Sequence, residues 1–147
     1  MTVKEIRETR GVDGNYRLEF DNKYMENVTI KYAEASLESK GEGVALDRAR
    51  MNVVGDLFMG ACLHCLVSNV GDRLPHHVEI SELRGTAKDI DNPNEEILEF
   101  NVEVSVPGEY SSELDKVIKD LNENGTGMMR FLKKTGVFRV IYNVKRI

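Results

Sequence analysis

The residues best suited to chemistry lie close together: Cys62 and Cys65, the only two cysteines, with His64 between them and His76 and His77 further on. A thiol can act as nucleophile, metal ligand or small apolar packing group, and spacing helps to separate these uses. C-x-x-C on a helix puts both side chains on one side, with Cβ atoms about 5–6 Å apart. A disulfide wants Cβ atoms nearer about 3.8 Å, so a bridge within an intact helix requires local distortion. Redox C-x-x-C pairs gain acidity at a helix N-terminus, whereas these two fall in mid-helix. Zinc needs four converging ligands. His64 projects about 100° around the helix from Cys65, so the three helical residues cannot all face one ion, and there is no second C-x-x-C. No metal or cofactor is expected. A reactive thiol and a buried packing residue remain the two readings of Cys62 and Cys65.

The element that must position them is residues 49–70, apolar around most of a helical circumference, which predicts a long buried central helix. Asn52, Asp56, His64, Ser68 and Asn69 interrupt it, so it lacks the run of about 18 apolar residues a membrane span needs. Asp47 is a candidate N-cap, and Gly71, shortly before Pro75, a candidate stop. Gly55, Gly60 and Ala61 would let another backbone approach closely. Asp56, one turn from Asn52, either tunes the thiol or reaches solvent or a partner's arginine. Met51, Met59, Met128 and Met129 either fill the core or line an apolar pocket.

Period-2 alternation predicts strands on both sides of this helix. Three precede it, at residues 2–8, 16–20 and 27–32, with a polar surface loop over 34–43. Residues 77–88 and 96–107 read as an antiparallel pair with one wet face, joined by a long tip, DIDNPNEE. Ser111 and Ser112 open a second helix, with Asp115 in a capping-box position. Leu114, Val117, Ile118 and Leu121 give that helix its apolar stripe. A short third helix over 128–134 and a last strand over 138–144 complete an α+β domain spanning 1–147.

Composition sets the outer limits. With 147 residues, 41% hydrophobic and 31% charged, the chain has the make-up of one globular domain able to bury a core without disulfide or metal staples. A net charge of -5 argues against binding nucleic acid through phosphate neutralisation. The opening MTVKEIRETR has no apolar signal region, so a cytoplasmic location with reduced thiols is expected.

Gly60, Ala61, Cys62 and Leu63 on the central helix, the strand FNVEVSVPG leading to Glu113, the short helix ending at Leu132 and the order of elements carry a resemblance. From about residue 40 onward the chain resembles the OsmC/Ohr family, the osmotically inducible protein C and organic hydroperoxide resistance proteins. The resemblance implies the α+β OsmC fold and an intertwined homodimer, with central helices sandwiched between the sheets of both subunits. It also implies an oxidative-stress peroxidase in which the cysteine at position Cys62 attacks an organic hydroperoxide and becomes a sulfenic acid. In the family a second cysteine, at the start of the short helix, resolves it to a disulfide; that position is Thr126 here. The family's glutamate falls at Asn52 and Val53, and Arg17, Arg48 and Arg50 are candidates for its activating arginine. Two functions follow: a thiol peroxidase in which Cys65 takes the resolving role, or a catalytically silent member that binds a small apolar ligand.

Overall fold

Alternating apolar and polar residues build one seven-stranded sheet. The structure, a computed structural model, describes residues 2–11, 16–22, 25–31, 36–39 and 53–147. Within them, strands β1 (Thr2–Arg10), β2 (Tyr16–Asn22), β3 (Met25–Lys31), β4 (Ser36–Ser39), β5 (Glu82–Asp91), β6 (Glu96–Ser105) and β7 (Arg139–Arg146) run in the order β4-β3-β2-β1-β5-β6-β7. All neighbours pair antiparallel except β6 and β7, which are parallel. Among the described residues three α-helices complete an α+β fold: α1 (Val53–Arg73), α2 (Ser111–Asn124) and α3 (Gly127–Thr135). None is long and apolar enough to cross a membrane.

The two halves of the chain meet where β1 lies against β5, with Ile6 opposite Ala87 and Glu8 opposite Gly85. One sheet face, bearing Ile6, Leu18, Ala87, Phe100 and Val102, packs into the core with Leu63, Leu66 and Val67 of α1. Gly85 makes this close packing possible. A Cβ there would lie 2.7 Å from Val67 Cγ2 and 2.9 Å from Leu63 Cδ1. The other face is wet and charged, with Arg84 held between Glu82 and Glu103. At the parallel edge, Asn122 of α2 donates to the Val144 carbonyl at 2.8 Å and accepts from the Val144 amide at 2.7 Å. Those two bonds occupy edge groups that would otherwise invite another strand.

Several local expectations are corrected. Residues 36–39, read as loop, form β4, whose partners run from Val28↔Ser39 to Lys31↔Ser36; a short polar strand suits a sheet edge, where backbone bonding rather than side-chain burial defines it. β5 begins at Glu82, because residues 75–78 form a turn closed by the Val78 amide on the Pro75 carbonyl at 3.0 Å. The hairpin tip is short: residues 92–95 turn through Asn92 Oδ1, which accepts from the amides of Asn94 and Glu95. Ser112 and Asp115 form no capping box. A 3-10 turn, Gly108–Tyr110, leads directly into α2, and no side chain caps it. Gly71 does not stop α1, which runs on to Arg73 before Pro75. Asp47 and Met51 lie outside the described residues, as does the side chain of Asp56.

The expectation of a helix buried all round also needs correction within one chain. Cys62, Leu63, Leu66, Val67 and Val70 are buried, whereas Phe58 is 37% exposed and Ala61 is exposed. These two mark a solvent-facing stripe of α1.

Candidate functional site

Helix α1 presents its chemistry at two places, the cysteine turn and its C-terminal end. At the first, the two thiols differ sharply. Cys62 is 0% exposed and Cys65 is half-buried; both are free. Burial pushes the Cys62 thiol up to about 12, and the neighbouring Cys65 adds to the rise. Since the thiolate is the nucleophile, burial holds Cys62 in its unreactive protonated form at neutral pH more firmly than an ordinary thiol. Cys65 has a polar neighbour instead: Asn69 Nδ2 lies 3.7 Å from its sulfur and 2.6 Å from its carbonyl.

The position expected for a second cysteine, Thr126, is 98% buried and occupied structurally. Its hydroxyl accepts from the Met129 amide at 3.2 Å and caps α3. Arg17 cannot activate Cys62 within one chain, because Tyr16 and Leu18 on either side of it point into the core and strand alternation turns Arg17 outward. Arg48, Arg50 and Asn52 lie outside the described residues. His76 and His77 sit exposed in the turn after α1, and no three His, Cys, Asp or Glu side chains among the described residues are placed to hold a metal. Met59 and Met129 are buried in the core, with Met128 packed against it.

Sequence reasoning missed Glu8. It is fully buried, with Oε1 2.6 Å from His64 Nδ1 and Oε2 lacking a hydrogen-bond partner. Desolvation raises its carboxyl above the ordinary 4.5, while the bond to His64 pulls the other way. The strand register sets Glu8 between Leu18 and Gly85, and Tyr16 meets the His64 ring edge-on at 5.0 Å between centroids. The pair ties β1 to α1 and fixes the imidazole's orientation. The signal was present: Glu8 lies two residues beyond inward-facing Ile6, so alternation sends it inward too.

At the second place, α1, the turn after it and the end of β1 enclose a half-open cleft of about 630 Å³. Tyr16, Leu74, Val78 and Ile80 contribute its apolar walls. Arg10, Asp72, Glu79 and Glu82 supply charge. Gly71 keeps the floor open: a Cβ there would lie 3.3 Å from the Tyr16 hydroxyl and 3.6 Å from Ile80 Cδ1. The cleft lies beyond Cys62 by about 14 Å of helix, nine residues at 1.5 Å each. Its size is in the range that holds small ligands, about 300–1,000 Å³. No family model matches the sequence, and no curated protein matches it.

Proposed function

We propose that the chain is an OsmC-fold protein that is silent as a Cys62 peroxidase and binds a small, largely apolar molecule in the cleft at the C-terminal end of α1. The observation that carries this reading is the contrast along one helix. Cys62 is sealed and held protonated, whereas the open volume lies at the other end, against Tyr16, Leu74 and Val78. The order of strands, long helix, hairpin, two helices and last strand supports the OsmC assignment. Thr126, capping α3 where the family carries its resolving cysteine, supports the loss of the peroxidase cycle.

The same resemblance implies an intertwined dimer. The exposed stripe at Phe58 and Ala61 supports a second copy covering this face of α1.

Two measurements test the functional reading. With cumene hydroperoxide and dithiothreitol, the purified protein consumes peroxide no faster than its Cys62→Ser variant; turnover that disappears in Cys62→Ser would restore the peroxidase. By calorimetry, neutral phenylbutanol binds the protein and loses that binding in Gly71→Leu, which fills the floor of the cleft. Unchanged binding in the variant would place the ligand elsewhere.

A further inference from the structure

We infer that the outward face of α3 is a docking surface for an anionic lipid membrane, on which the protein lies without crossing it. The inference is independent of the cleft and of both thiols.

The sequence from Gly125 to Ile147 holds six basic residues and no acidic one, in a chain whose net charge is -5. Three of the six face carboxylates: Arg139 with Glu95 at 3.6 Å, Lys145 with Glu103 at 3.5 Å and Arg146 with Asp115 at 2.5 Å. The other three, Arg130, Lys133 and Lys134, all lie on α3 and form no ion pair with a carboxylate among the described residues. Arg130 donates to the carbonyls of Asn124 and Gly125, at 2.8 and 3.3 Å, and the Lys133 ammonium sits 4.5 Å from the centre of the Tyr142 ring. Neither contact cancels a charge.

Met129 and Leu132 point into the core, and helical geometry then turns Arg130, Phe131 and Lys134 away from it. Phe131 is 59% exposed, and Val137, just past the left-handed Gly136 that ends the helix, is 67% exposed. Lysines in the last turn of a helix are ordinary, because they offset the partial charge of its free carbonyls. Single exposed apolar residues are ordinary too. Here two of them fall at one end of a short helix beside three cations, and the combination selects the partner.

A lipid headgroup layer offers anionic charge at its surface and hydrocarbon beneath, so it takes up both halves of this pattern at once. An acidic peptide matches the cations alone. A second copy meeting the same face would set Arg130 and Lys134 against their own counterparts. None of the described helices is long and apolar enough to span a bilayer, so the association is peripheral.

The full chain is tested by cosedimentation at low salt with vesicles containing phosphatidylserine, against vesicles of phosphatidylcholine alone. It should pellet with the first and stay in solution with the second, and added salt should release it. Lys134→Gln should weaken the binding about fivefold, the effect of one cation at an anionic leaflet. Phe131→Ser should weaken it severalfold by removing apolar area from the contact. Lys88→Gln, which removes the same charge from the opposite face of the sheet, should leave it unchanged. Because the chain contains no tryptophan, Phe131→Trp places a single reporter at the contact, and its emission should shift to the blue with the anionic vesicles only. Absence of binding, equal binding to phosphatidylcholine, indifference to both Lys134→Gln and Phe131→Ser, or tryptophan emission that does not move on binding overturns the proposal. A blue shift that grows with protein concentration without vesicles assigns the face to a second copy, and binding to polyglutamate that anionic vesicles fail to displace assigns it to an acidic protein; either result overturns the lipid.

Discussion

Cys62 and Cys65 share a helix and a spacing, yet their surroundings give them different chemistry. Cys62 sits in the apolar core, where forming a thiolate means placing a charge in a medium that cannot solvate it. Cys65 reaches partly to solvent and has an amide donor on its sulfur. In the folded protein iodoacetamide should therefore modify Cys65 and spare Cys62 until denaturant is added, as peptide mass spectrometry would show. Equal labelling of the two in native buffer would refute the sealed environment assigned to Cys62. Glu8 is the other residue whose burial makes a prediction. Because its folded-state carboxyl titrates above 4.5, the folded state favours the protonated acid. The stabilisation from that proton is complete below the unfolded value and is lost as pH rises through the folded one. Urea midpoints measured from pH 4 upward should fall in the wild type relative to Glu8→Gln, which keeps an acceptor for His64 without the charge. A difference between the two proteins that stays flat with pH would remove Glu8 from this role.

Among the elements, α1 packs tightly against β5 at Gly85. A Cβ there would meet Val67 and Leu63, and the β-branched Val67 has little freedom to move aside. Gly85→Ala should destabilise the protein by about 1–3 kcal/mol, the usual result of overpacking a filled core, with the loss read from denaturant unfolding. A neutral result would mean that α1 can ride up from the sheet without penalty. The same contact shows what could be read in advance. The long helix was legible because apolar residues crowd its sequence, and β6 because Leu98, Phe100, Val102 and Val104 alternate without error. Glycine in a strand pattern carries no such signal of its own. Whether Gly85 marks a bulge, a weak strand or a helix seat depends on what lies across from it, and Leu63 and Val67 are some 20 residues away in the chain.

At the scale of the whole molecule, β1 against β5 unites the N-terminal strands with the β5–β6–β7 half, and the described helices pack into the core on one face of the sheet. The proposed second copy would cover the Phe58 and Ala61 stripe of α1. Sedimentation should then give twice the 16.6 kDa chain mass, and Ala61→Arg, which adds charge to that stripe, should shift the protein to monomer. A wild type that sediments as a monomer across the micromolar range would exclude the pairing.

The sequence by itself determined the α+β class, the central helix, the clearest strands and the place of both cysteines, because hydrophobic periodicity and residue type are local properties. It also pointed to Cys62 through the residues around it. Only the tertiary structure decided which thiol is sealed, that Glu8 reaches His64 across 56 positions, that β7 lies parallel to β6, and that a cleft opens where α1 ends. The physical reason is common to all four. Desolvation, pairing between distant strands and empty volume are set by residues far apart in the chain, and periodicity within a segment does not reveal its neighbours.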